Sequence, residues 1–180
     1  MSWKVGLGAL GALLCMSGVA GARDAGALTV TSPVFANGGA IPSEYTCEGR
    51  SVSPPIAWSA VPAETKSIAI IVDDPDAPGG TYEHLVAFNL APTERSLPSE
   101  PNQSLLPSTR ALAARNSGGT TGFAPICPPS GRHHYRFQVL ALDTTLARPL
   151  GAASSDVAAA LKGHVLARGD LTGTYQKLAR

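Results

Sequence analysis

The sequence predicts a mainly β protein with long connecting loops and one or two short helices near the C-terminus. Three observations carry that expectation. The 180 residues include 19 glycines and 15 prolines, scattered among apolar runs and not gathered into low-complexity tracts, and such punctuation favours many turns. Residues 67–73 (SIAIIVD) are β-branched and nearly continuous in apolar character, as a buried strand requires. Residues 83–90 and 134–143 are two further strand-like runs, each mixing polar and apolar residues along its length. A hydrophobic share of 44% and a length suited to one domain leave room for a sizeable core.

Taken in order, the chain opens with MSWKVGLGALGALLCMSGVAGA. One lysine, an apolar stretch and an A-x-A site at residues 20–22 predict a cleaved secretory signal over residues 1–22, with a single domain over residues 23–180. The stretch is short and glycine-rich for a membrane span. Cys15 invites a lipoprotein reading, but Leu14 stands where a small residue is wanted. The expected location is periplasmic or secreted. Residues 27–31 (ALTVT) form a first strand and residues 54–58 (PPIAW) a second, before the strong strand at 67–73. Residues 92–122 carry no long period, and their Pro, Ser, Asn and Gly content predicts long loops. SSDVAAALKGH (154–164) reads as a helix capped by Ser155, with Val157, Leu161 and Val165 on one face. Gly163 interrupts it, so residues 165–175 read alternatively as a returning strand.

Removal of residues 1–22 takes Lys4 with it, so the 14 basic residues fall to 13, equal to the 13 acidic ones. No basic stripe appears, which disfavours nucleic acid or an anionic membrane surface as partner; no stable membrane insertion is expected after cleavage. Cys15 also goes, leaving Cys47 and Cys127. An even pair in an oxidising compartment favours a disulfide over two buried thiols, with one bridge and no free thiol. Two cysteines without C-x-x-C spacing make a weak case for zinc; no metal and no cofactor is expected.

IVDDPDAPGGTYEHLVAFNL (71–90) poses the functional question, because an acid-rich, rigid loop with a histidine at its exit is more than a turn needs. Strict alternation puts Ile68, Ile70, Val72 and Asp74 on one face, and His84, Val86, Phe88 and Leu90 on another. It aligns His133, Tyr135, Phe137, Val139 and Ala141 on a third, with His134, Arg136 and Gln138 opposite. If the strands are antiparallel, Asp74, His84 and His133 converge at one end of the sheet. The plainer readings are turn caps for Asp74 and Asp76, a satisfied core histidine for His84, a strand start for His133 and a core aromatic for Tyr135. His134 and Arg136 read as a solvated face, and His164 as a helix-end residue.

DPDAPGG (74–80), a histidine four residues on, and CPPSGRHHYRFQVLALD (127–143) together resemble the phosphatidylethanolamine-binding protein family, in particular its bacterial, Raf-kinase-inhibitor-like branch. IPSEYTCEGRSVSPPIAW (41–58) and GHVLARGDLTGTY (163–175) are similar to two further blocks, so the likeness runs over most of residues 28–176. The resemblance implies a β-sandwich with Greek-key-type sheets and a small anion-binding cavity at one end. By the same resemblance Asp74 matches the cavity aspartate, Pro78 the rim proline, His84 the histidine of the following strand, and His133 and Tyr135 the H-x-Y pair. Cys127 and Pro129 match the loop whose backbone borders the ligand. FAPICPP (123–129) departs from a more glycine-rich approach, His134 stands where arginine is usual, and little chain follows Tyr175 to match the C-terminal helix of mammalian members. An open mouth is therefore expected.

The function expected is non-enzymatic binding of a small anionic or phosphorylated ligand, such as a phosphate ester or a phospholipid head group, with a regulatory role. Relatives in the branch suggest a homodimer. Anion affinity is expected to rise as pH falls through the histidine range. The alternative is an enzyme inhibitor acting through the 92–122 loops. A hydrolase is least favoured: no G-x-S-x-G elbow is present, and a bridged Cys127 cannot be a nucleophile.

Overall fold

The computed structural model describes residue 1 and residues 26–99 and 111–178. The expected signal at 1–22 and the middle of the 92–122 loops thus lie largely outside the described residues. The described strands form a six-stranded sheet and a three-stranded sheet packed face to face, with one α-helix. In chain order the strands are β1 (Gly26–Ala27), β2 (Val30–Thr31), β3 (Ile56–Trp58), β4 (Ser67–Asp74), β5 (Tyr82–Leu90), β6 (Ser96–Leu97), β7 (Leu112–Ala113), β8 (Arg132–Leu142) and β9 (Val165–Gln176), with α1 (Ser154–Leu161) between the last two. The large sheet runs β1-β9-β8-β4-β5-β7 and the small one β2-β3-β6. Within the large sheet, β8-β4-β5-β7 has the spatial order of a Greek key, the fourth strand returning to lie beside the first.

β4 is a central strand buried on both faces, which is why its sequence is an apolar run and not an alternation. Ile68, Ile70 and Val72 enter the core between the sheets, where they meet Val30, Ile56, Trp58 and Leu97 from the small sheet. Ala69 points the other way, into a second cluster with Val86, Phe88, Leu140, Val157 and Leu161. That cluster is the seat of α1, whose apolar Val157 and Leu161 cover the outer face of the large sheet.

Several expectations are corrected in detail. Residues 27–31 are not one strand: the chain pairs with β9 at Gly26–Ala27, then crosses to the small sheet at Val30. Ser155 does not cap α1, since Ala153 occupies the N-cap position and no side-chain cap bond is made. Val165 belongs to β9, the returning strand. The face assigned to β5 fails as well. Val72 lies opposite Leu85 and Asp73 opposite Glu83, which leaves His84 as the extra residue of a β-bulge. A second irregularity follows at Asn89, which is left-handed at φ 61 and is held by two hydrogen bonds to the Leu146 backbone. Between them the phase is reversed: Leu85 and Ala87 enter the inter-sheet core, whereas Val86 and Phe88 face α1.

Candidate functional site

β4 runs antiparallel to both β5 and β8, so the end of β4 and the starts of its two neighbours lie at one end of the large sheet. This brings Asp74, His84, His133 and Tyr135 together. All four are buried, with relative exposures of 4, 4, 6 and 0%. β8 keeps strict alternation, with His133, Tyr135 and Phe137 inward and His134 and Arg136 outward. His84 joins the same cluster because the bulge turns it inward alongside Leu85.

Both oxygens of Asp74 are committed. Oδ1 accepts the Asp76 backbone N–H at 2.8 Å, and Oδ2 accepts His133 Nδ1–H at 2.7 Å. Asp74 is thus both a turn cap and the group that orients His133. One residue out of phase, Asp76 Oδ2 accepts the backbone N–H and Nδ1–H of His134, and these bonds, the side-chain one foremost, lower the Asp76 carboxyl below its usual range. Two successive Asp–His pairs, one buried and one exposed, clamp the acid-rich loop to the start of β8.

His84 Nδ1 is 2.8 Å from the Ala124 carbonyl oxygen, and its ring stands 5.4 Å from Tyr135 in an edge-on arrangement. Burial pushes the imidazole below its usual value, against the opposing pull of the Ala124 bond and the charges of Asp74 and Asp73. Burial and the same carboxylate charge push the Tyr135 phenol up, so it stays a hydroxyl. His84 Nε2 and Tyr135 Oη are both buried without a hydrogen-bond partner. A buried polar atom left unpaired costs about 1–3 kcal/mol, and two of them share this aromatic cluster.

Two further aromatic rings pack against His84. Tyr82 packs 4.8 Å and Phe123 6.2 Å from His84, ring to ring. Both are partly exposed where His84 is buried. Sequence reasoning passed over Tyr82, although it lies two residues before His84 and opposite Asp74; alternation extended backwards would have found it. The Ala124 carbonyl carries no sequence signal, because any residue supplies one.

A family model described as phosphatidylethanolamine-binding protein matches residues 31–176. The chain belongs to the phosphatidylethanolamine-binding protein family. It is 42% identical over 151 residues to a UPF0098 protein of Methanothermobacter thermautotrophicus, covering 83% of this chain and 99% of that one. A crystal structure of a candidate family homologue from Chlamydia trachomatis superposes with a TM-score of 0.77 at 35% identity, covering 86% of this chain and all of the other. A Mycobacterium tuberculosis protein named as a candidate lipoprotein is 37% identical over 151 residues, covering 83% of this chain and 72% of its own.

The remaining family positions sit on loops. Pro78, Cys127 and Pro129 are exposed. Cys127 is bridged to Cys47, with Cα atoms 5.4 Å apart, and Cys47 N–H donates to the Ile126 carbonyl. The bridge therefore anchors the same loop that holds His84 through Ala124. Tyr175, opposite His133 on β9, donates its hydroxyl to Glu48. A pocket of about 390 Å³ beside it is lined by Cys47, Glu48, Lys177 and Leu178. On the outer face Arg136 is not simply solvated: it makes two bonds to buried Asp73, which also accepts from Gln138. His164 pairs with Asp143 and lies away from the site. Among the described residues no three His, Cys, Asp or Glu side chains are grouped to ligate a metal.

Proposed function

We propose that this chain binds a small anionic or phosphorylated ligand in the hollow of Asp74, His84, His133 and Tyr135, and does so without turning it over. The observation that carries the reading is the pair of buried, unpartnered atoms, His84 Nε2 and Tyr135 Oη, in one cluster with an Asp-oriented histidine. A guest that satisfies both atoms supplies the hydrogen bonds they otherwise lack, and a bond from the Tyr135 hydroxyl to a charged oxygen is about twice as strong as a neutral one. Tyr82 and Phe123 must swing aside to admit it. Membership of a family described by phosphatidylethanolamine binding agrees with a phosphorylated guest.

The protein works outside the cytoplasm in this reading, after cleavage behind Ala22, and as a homodimer. The Cys47–Cys127 bridge is at home in an oxidising compartment, and one relative bears a lipoprotein name.

Non-denaturing mass spectrometry of protein purified from its own host weighs retained ligand and assembly together. Titration with inorganic phosphate, followed by phosphorus NMR, then measures occupancy directly. Saturable binding that is lost in His84→Ala is the expected result. No uptake of phosphate or of any phosphate ester, with the fold intact, ends the proposal. N-terminal sequencing that begins elsewhere than Arg23 ends the assigned cleavage site.

A further inference from the structure

We infer that the Cys47–Cys127 bridge is an exchange site for a dithiol reductant, opened in the folded protein by attack at Cys127 and coupled through residues 123–127 to His84. The exchange chemistry stands by itself, and only its consequence for a ligand rests on the anion-binding reading above. Structural disulfides resist reduction, whereas exposed ones are among those that exchange readily. Here Cys127 is exposed and Cys47 half-buried. Neither cysteine belongs to a hydrophobic cluster, although Tyr45 and Ile126 beside them do. The bridge therefore lies on the outside of a wall whose inside is core, where it can be cut without emptying the sandwich.

The pocket of about 390 Å³ makes the two sulfurs unequal. Cys47 lines it together with Glu48, Lys177 and Leu178. A neighbouring ammonium favours thiolate over thiol, and a stabilised thiolate leaves faster in exchange. Glu48 opposes Lys177, but its Oε2 already accepts the Tyr175 hydroxyl and the Leu178 backbone N–H. Attack at Cys127 thus combines the exposed target with the better leaving group. The reductant's thiolate bonds to Cys127 Sγ as the S–S bond breaks, and the electron pair departs on Cys47 Sγ. The reductant's second thiolate then attacks its own sulfur in this mixed disulfide and expels Cys127. Two electrons pass from dithiol to protein, both thiol protons end on the cysteines, and the reductant leaves as a disulfide.

The same loop carries the change to His84. On one side residues 123–127 are tied to the Cys47 segment, by the bridge and by the Cys47 N–H to the Ile126 carbonyl at 3.0 Å. On the other side Ala124 clamps His84 twice. Its N–H donates to the His84 carbonyl at 2.8 Å, and its own carbonyl accepts His84 Nδ1–H at 2.8 Å. Cutting the bridge removes the covalent tie three residues from this clamp, so the clamp loosens and the imidazole loses its fixed orientation. Reduction is thereby a switch that weakens the site.

The test adds dithiothreitol to the purified, folded protein at about pH 8 and counts thiols as they are released. The rate is expected to rise in proportion to dithiothreitol, with the near-UV circular dichroism of the folded state retained. A rate that levels off shows that the bridge opens only through prior unfolding and overturns the inference, as does loss of the near-UV signal. Glutathione, quenched with acid and mapped by peptide mass, is expected on Cys127; an adduct chiefly on Cys47 overturns the direction of attack. Lys177→Gln is expected to slow reduction about threefold at an unchanged melting temperature, and an unchanged rate removes Lys177 from the step. Hydrogen exchange at the Ala124 N–H is expected to quicken about tenfold or more on reduction, and unaltered exchange overturns the coupling to His84. Phosphate affinity, read by phosphorus NMR, is expected to fall about tenfold in the reduced form. If phosphate binds neither form, the anion-binding reading fails, while the exchange site is decided by the other measurements.

Discussion

At the scale of one residue, Tyr135 separates the proposed binding role from a structural one. Its hydroxyl is buried and makes no hydrogen bond, so removing it costs the unliganded protein nothing. Tyr135→Phe should leave the melting temperature unchanged or raise it by about 2–4 °C, the equivalent of about 1 kcal/mol, while weakening phosphate binding about tenfold. Calorimetry and the phosphate titration check the two halves, and a destabilised variant with normal binding would reverse the assignment. His84 gives a pH signature. The unfolded imidazole takes up a proton near pH 6.5, whereas the buried one resists it. Its contribution to stability is therefore whole above about pH 6.5 and is lost as pH falls towards the lowered native value. Melting curves should show wild type losing more stability than His84→Gln over that interval; parallel curves would contradict it. Sequence showed Asp74, His84, His133 and Tyr135 because each is a polar residue at an apolar strand's end. It could not show whether their atoms were satisfied, since that depends on backbone carbonyls such as Ala124's.

Among the elements, the long strands were legible and the two-residue ones were not. β4 and β8 declare themselves through burial and alternation, but β1, β6 and β7 are too short to express any period. β5 was found and its face was misassigned, because each bulge slips the side-chain phase by one residue. A polar Asn89 and a His84 within an apolar run are the visible traces of those slips. The β1–β2 crossing was also hidden. There the backbone of Leu28 lies so close to β9 that a Cβ on Gly169 would stand 2.1 Å from the Leu28 carbonyl oxygen. Gly169→Ala must push two backbones apart and should cost about 1–3 kcal/mol, read as a lower urea midpoint. An unchanged midpoint would mean that this edge is not packed as described.

Across the molecule, one covalent link ties residues 80 positions apart. Closing a loop of that size is worth about 4–5 kcal/mol in the chain-entropy account. The Cys47→Ala, Cys127→Ala double variant should therefore melt well below wild type, and thiol counting on the unfolded wild type should return no free group. Two reactive thiols would remove the bridge. Its effect should also extend to ligand affinity, because Cys127 is three residues from the carbonyl that fixes His84. The sandwich as a whole was legible through family likeness, whereas the packing of Tyr82 and Phe123 against His84 was not, since it depends on side-chain placement alone.

That burial has a kinetic corollary. Nε2 of His84 is buried, so a guest would reach it only after neighbouring side chains such as Tyr82 and Phe123 move, and the rate of that movement does not depend on how much guest is waiting outside. Stopped-flow association should therefore climb with concentration and then level off at the frequency of ring movement, well short of the encounter limit. Removing one of these rings in Phe123→Ala should lift that plateau.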